Sequence, residues 1–138
     1  MNDFQGLYHI RDGTDKDKNF ILATFLRGLY YGNSWFNMIE KTIFMNEYKV
    51  IANAILSSSK TVVKIACLPD DPDVILGYSV LSADYQTVHW VHVKAAWRKK
   101  GIGRSLTPAH PAYASHLSDL GKQLLKKLPE TTYNPFSL

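Results

Sequence analysis

The sequence has little cysteine and no long apolar run. Among its 138 residues stands one cysteine, Cys67. A single thiol cannot close an internal disulfide, and no Cys/His cluster has zinc-ligand spacing, so a disulfide scaffold and a zinc ribbon are excluded. No stretch approaches the roughly 18 consecutive apolar residues that a membrane-spanning helix requires. Residues 1–20 lack the apolar segment of a secretory leader. These absences lead to the expectation of a cytoplasmic protein with no membrane partner. Repeats, low-complexity tracts and linkers are missing too, and a chain of this length can bury a core of its own. Residues 1–138 therefore read as one domain.

Charge is present but unevenly placed. The net charge is +4, yet residues 1–93 carry 8 basic and 10 acidic side chains whereas residues 94–138 carry 8 basic and 2 acidic. A basic C-terminal third suits nucleic acid, a phosphorylated cofactor or solvent, and composition does not choose among them.

Hydrophobic periodicity places the elements. Leu7-Tyr8-His9-Ile10 reads as a strand, and Gly13, Thr14 and Asp15 supply turn and N-cap chemistry before a helix over about Lys16 to Tyr31. Tyr30, Tyr31, Trp35 and Phe36 surround a Gly32-Asn33 turn and are expected to pack in the core. A second helix over about Lys41 to Leu56 closes at Ser57-Ser58-Ser59. The pattern then becomes strand-like over Thr61 to Leu68, Val74 to Ala83 and Thr87 to Lys94, joined by turns short enough for antiparallel hairpins. After Gly101 a helix begins and soon meets Pro108 and Pro111. A strand over about Ala112 to His116, a helix over Asp119 to Leu128 capped by Ser118, and a closing segment from Thr131 to Phe136 complete the chain.

The most informative segment is Val93-Lys94-Ala95-Ala96-Trp97-Arg98-Lys99-Lys100-Gly101-Ile102-Gly103-Arg104-Ser105. Gly101 and Gly103 allow a tight turn and close main-chain approach to a ligand, and the amides opening a helix attract phosphate. Arg98, Lys99, Lys100 and Arg104 add positive charge. No Gly-Lys-Ser/Thr ends the loop, and the third glycine of a dinucleotide fingerprint would fall at Leu106. A pyrophosphate site of another kind fits.

Here the chain resembles the GCN5-related N-acetyltransferase (GNAT) family, whose acetyl-CoA loop has the form Arg/Gln-x-x-Gly-x-Gly/Ala after a strand ending in Val. The motif stands as Arg98-Lys99-Lys100-Gly101-Ile102-Gly103, with Val93 and Trp97 ahead of it and Ala95 where proline is common. The resemblance covers residues 5–107 in element order. It implies an α/β (α+β) fold with a mixed, mainly antiparallel, twisted sheet flanked by helices. It further implies acetyl-CoA as co-substrate, with its pyrophosphate on the loop from Arg98 to Ser105 and its pantetheine arm along the main chain of His92 and Val93. Family members often place a Glu base on the fourth strand and a Tyr acid in the helix after the fifth. Those positions are Thr87 and a tyrosine-free helix here. Asp84 and His89 are the substitute bases to test, against the plainer readings of an Asx turn and a packed strand histidine. Tyr113 and Tyr133 are the substitute acids, against the reading of half-buried sheet residues.

His89, His92, His110 and His116 offer metal-ligand chemistry, but no pair has the i, i+4 spacing of a helical metal motif, and no metal site is assigned. Cys67 reads as a small buried hydrophobe. The leading function is an N-acetyltransferase carrying acetyl from acetyl-CoA to a primary amine, on a small molecule or a protein, by direct attack. The alternative is a GNAT-like domain that has lost catalysis and serves as a binding module, in a homodimer or a larger assembly. A nucleic-acid binder ranks last because no recognition motif accompanies the basic residues.

Overall fold

The computed structural model describes residues 7–137. Its elements run β1 (His9–Asp12), α1 (Lys18–Tyr31), α2 (Lys41–Ser57), β2 (Thr61–Leu68), β3 (Asp71–Ser82), β4 (Thr87–Val93), α3 (Ile102–Leu106), β5 (Tyr113–Ala114), α4 (Asp119–Leu125) and β6 (Thr132–Tyr133). The six strands lie in sequence order in one sheet; β1 to β4 pair antiparallel, and β5 and β6 join parallel. Helices α1 and α2 cover one face of this sheet and α3 the other.

The covered face supplies most of the core. Ile21, Ile55, Ile65, Tyr78 and Val80 pack in one cluster, and Phe25, Leu26, Leu29, Phe44 and Ala52 in the next. Gly28 lets α1 approach β4, since a Cβ there would lie 2.9 Å from the Trp90 ring, which stacks on Phe25. On the opposite face Ala66, Leu76, Ile102 and Leu106 bury α3 against the sheet.

The start of α1 is fastened by an ion pair. Asp17 is buried, accepts two hydrogen bonds from Arg11 at 2.8 and 2.9 Å, and accepts a third from the Thr14 amide at 2.7 Å. The Arg11 hydrogen bonds hold its carboxyl below the usual range.

Several expectations need correction. The α1 entry begins with a 3-10 turn at Asp15–Asp17, because Asp17 faces back to Arg11. Tyr31 and Trp35 are 55% and 70% exposed, so only Tyr30 of that aromatic group is fully in the core, while Phe36 is half-buried. Residues 71–73 belong to β3, not to a turn, because a bulge in the β2–β3 register admits them. β5 and β6 are two residues each. Helix α4 stops at Leu125, with the Ser118 hydroxyl accepting from the Gly121 amide at its start.

Candidate functional site

The site begins where β4 and β5 part. β5 pairs only Thr87 and Val88, through Tyr113 and Ala114, and the Ser115 amide donates to Val88 O at 3.1 Å. At that point the β3–β4 register slips: Leu81 pairs with Val88 but Val80 with Trp90, leaving His89 as the extra residue. A bulge bends its strand and ends local pairing. The edge of β4 beyond Val88 therefore runs without a β5 partner. Between the diverging strands lie two hollows of about 680 and 710 Å3 that share Val88, Val91, Ala114, Leu117, Gly121 and Leu124. They form one groove across the sheet.

The groove carries the marks of an amphipathic ligand. Leu120 and Leu124 of α4 line it and are 63% and 51% exposed, so its wall offers apolar surface to a ligand. Arg98, Arg104 and Lys127 line it as well, and no carboxylate does among the described residues. The glycine loop closes its end. Gly101 adopts φ 82°, the left-handed region that favours glycine, and caps α3, while Gly103 lines the groove and has only Val93 Cγ2 near its missing Cβ, at 3.9 Å.

The expected loop residues divide by role. Arg98 lines the groove and donates from Nε to Val93 O at 3.0 Å. Lys99 is exposed at φ 64°, and Lys100 is partly buried. The Ile102 side chain is core, so only its main chain can face a ligand. Ser105 donates to Gly101 O at 3.0 Å and meets Tyr8 Oη at 2.7 Å, so its hydroxyl braces the loop. Val93 packs toward α3, and the His92 ring lies against Tyr78 and Phe20. Burial, then the charges of Arg98 and Lys94, pushes the His92 imidazole below its ordinary value.

A second, smaller hollow of about 360 Å3 adjoins the groove, and the two share the wall formed by His116 and Leu117. Its roof is the α1–α2 connection, tied down by Asn33. The Asn33 amide donates to Leu117 O at 3.0 Å while its oxygen accepts from the Trp35 and Phe36 amides at 2.9 and 3.3 Å. Ser34 N donates to Asp119 at 3.0 Å, which fixes the same connection to α4.

At the shared wall lies a chain of three side chains. Ser115 Oγ is 2.7 Å from His89 Nδ1 and 2.8 Å from His116 Nδ1. One hydroxyl proton cannot serve both rings, so Ser115 donates to one imidazole and accepts from the other. The His116 ring meets Phe25 and Tyr48 edge-on, and burial pushes it down to about 4. Burial lowers His89 in the same direction. Both rings are neutral at physiological pH. Among the described residues no three His, Cys, Asp or Glu side chains are grouped to hold a metal.

The four residues singled out for catalysis are not brought together. His89 belongs to this chain of contacts, and Tyr133, 49% exposed, lines the smaller hollow. Asp84 sits in the exposed β3–β4 turn, where Oδ1 accepts from Ser82 at 2.6 Å and from the Gln86 amide at 3.0 Å; those bonds lower its pKa. Tyr113 is on the outer end of β5 and lines neither hollow nor groove. Thr87 is buried and bonds Ser137 at 2.7 Å. Neither His116 nor Ser115 is among the catalytic candidates: His116 enters only as one of four histidines weighed for a metal, and the signal in the sequence is the recurrence of histidine near the fifth strand.

Solved structures share this fold. A candidate acetyl transferase from Pyrococcus furiosus aligns with a TM-score of 0.59 at 16% identity, over 92% of this chain and 81% of that one. The fold is that of the GNAT acetyltransferases. A possible acetyltransferase from Clostridium difficile 630 aligns over 92% of this chain and 76% of its own, with a TM-score of 0.50 and 14% identity. The apo form of YjaB from Escherichia coli gives a TM-score of 0.50 at 17% identity, over 91% of this chain and 69% of that chain. No protein-family model matches the sequence, and no curated protein does. The GNAT fold here departs from simple expectation in its two-residue β5 and β6. Among the described residues no helix is long and apolar enough to cross a membrane.

Proposed function

We propose that the protein is an N-acetyltransferase that takes acetyl from acetyl-CoA and passes it to a primary amine. The observation that carries this reading is the groove between β4 and β5, which opens at the bulge on His89 and meets the smaller hollow at His116. Its apolar walls, exposed leucines and cationic rim suit a long ligand with an apolar arm and phosphates. When bound, acetyl-CoA supplies a thioester carbonyl as the electrophile.

The chain's own residues divide the remaining work. The main-chain edge of β4 from Trp90 to Val93 offers peptide groups for the amides of the pantetheine arm, as an added strand would. Arg98 and Arg104, with the amides of Gly101 to Gly103, hold the phosphates. The smaller hollow admits the amine, and its apolar lining favours the neutral, nucleophilic form by desolvating the ammonium.

His116 receives the proton that leaves the amine. With Nδ1 directed at Ser115, Nε2 is the ring nitrogen left to accept it. The useful arrangement has His116 Nδ1–H donating to Ser115, and Ser115 donating to His89. The pKa near 4 means that His116 is a weak base toward a free ammonium. It is adequate toward an amine already forming its bond to carbon, which is far more acidic. Tyr133, which lines the same hollow, is the proton donor assigned to the departing thiolate.

Calorimetry with acetyl-CoA on the wild type and on Gly103→Trp tests the reading. Binding in the wild type and its loss in the variant are expected, because the indole would fill the groove. No binding at saturating ligand would overturn the assignment and leave the fold as a module that binds partners without catalysis.

A further inference from the structure

The acceptor hollow is aromatic, uncharged over most of its wall, and small. Trp35, Phe36, Tyr48 and Tyr133 line it beside Leu29 and Ile51, and its volume of about 360 Å3 lies at the lower end of the range for small-molecule sites. The Phe36 and Tyr48 rings stand 5.5 Å apart at 65°, and Tyr48 meets His116 at 5.8 Å and 79°. Rings in such mutual contact form one continuous aromatic wall, and a planar guest lying against it gains edge or stacking contacts. Trp35 is 70% exposed although it sits on this wall. Its main-chain amide donates to Asn33 Oδ1 at 2.9 Å, which fixes the backbone that carries the indole.

Charge discriminates further. No carboxylate lines the hollow among the described residues, and its one permanently charged group is Lys122, whose amine is 3.9 Å from Asp119. A guest with several ammonium groups would meet Lys122, which Asp119 pairs, and find no carboxylate on the wall. The aromatic faces attract a cation only weakly at exposed sites. A polyamine, an aminosugar antibiotic or a lysine-rich peptide therefore fits this wall poorly.

We propose that the acceptor is a monoamine whose amino group is carried on an aromatic or similarly flat apolar body, with the body against Trp35, Phe36 and Tyr48 and the nitrogen at His116. This rests on the acetyl-transfer reading, but its binding half can be tested without turnover. The hollow then selects by shape and stacking at one end and presents the nitrogen to the groove at the other.

Two measurements separate the claims. In the first, thiol release from acetyl-CoA is followed with 2-phenylethylamine, spermidine and a trilysine peptide. The aromatic amine should show the highest kcat/KM, by at least tenfold, and Trp35→Ala should raise its KM about tenfold with little change in kcat. A higher kcat/KM for spermidine or trilysine, or an unchanged KM in the variant, overturns the proposal. In the second, tryptophan fluorescence is titrated with 2-phenylethylamine in the absence of acetyl-CoA, and the part of the signal absent from Trp35→Ala is read. Saturable quenching of that part supports the aromatic site even if no amine is acetylated, a result that would then count only against the enzymatic reading. A flat titration overturns the site. Because the Trp35 side chain is mostly exposed, thermal unfolding of the variant should match the wild type.

Discussion

Ser115 Oγ lies 2.8 Å from Nδ1 of His116, and this contact fixes which ring nitrogen of His116 is left for chemistry. The two residues are neighbours in sequence on the turn that leaves β5. Their contact acquires meaning only because His89, on the bulge of β4, reaches the same hydroxyl at 2.7 Å.

Loss of His116 should reduce catalysis more than loss of its support. His116→Ala is expected to lower kcat by about 10² to 10³-fold, the scale of a removed general base. Ser115→Ala should lower it about tenfold, since Nε2 remains but the ring loses its orientation. Steady-state kinetics of the two variants provide the check. In the unliganded wild type the His116 imidazole should titrate near pH 4, and not near 6.5, because burial holds it at about 4, and NMR of the ring protons reads this. In Ser115→Ala that titration should move lower, as the imidazolium loses its acceptor.

Stability should fall on mild acidification. An unfolded histidine takes up its proton near pH 6.5, whereas folded His116 resists until about 4. Between these values the unfolded state binds more protons, so unfolding becomes easier as pH falls through the window. The contribution of His116 is about 3 kcal/mol across the full window. His89, lowered in the same direction, adds to it. Urea unfolding at pH 7, 6, 5 and 4 measures the slope, and His116→Gln should flatten it.

The two loop glycines should respond oppositely to alanine. Gly101 holds φ 82°, so Gly101→Ala is expected to cost about 1 to 2 kcal/mol. Gly103 lies inside α3 with its nearest neighbour 3.9 Å from the added carbon, so Gly103→Ala should be neutral or stabilising by up to about 1 kcal/mol. Denaturant midpoints of the two variants decide this. Equal effects would mean that backbone conformation does not govern the loop.

Asp17→Asn should destabilise the entry to α1. It leaves the Arg11 guanidinium without its carboxylate in a largely buried setting, and about 2 to 3 kcal/mol is expected, below the range for a fully buried pair because Arg11 is 19% exposed. The stability that the lowered Asp17 pKa contributes is present above the unfolded carboxylate pKa and is lost as pH falls below it. Chemical unfolding at pH 7 and at pH 3 should therefore show a smaller difference between variant and wild type at the lower pH.

Local signals in the chain were sufficient for what local physics controls. The β-branched and apolar runs of β2, β3 and β4 mark strands, α2 begins at Lys41 where its pattern begins, and Ser118 caps α4 through its own side chain. Gly101 and Gly103 marked a strand-to-helix turn because a left-handed residue and a helix start are properties of neighbouring atoms. The resemblance to acetyltransferases rested on that segment, and the fold agrees with it.

Where those side chains meet was decided by tertiary structure. Asp84 carried the chemistry of a base in sequence, yet its carboxylate is used by its own turn. His116 looked like one histidine among several, but the short parallel pairing of β5 with Thr87 and Val88 brings Ser115 and His116 to His89 across 26 positions of chain. Trp35 is of a residue type common in cores and stands on the wall of a hollow, because burial depends on what packs from the other side and the described residues leave it 70% exposed. The sequence by itself determined the strands, the helices and the glycine loop, each set by interactions within a few residues. Where the sheet opens, which rings face the opening and which proton acceptor meets it depended on pairing and packing between distant segments, and periodicity carries no record of those.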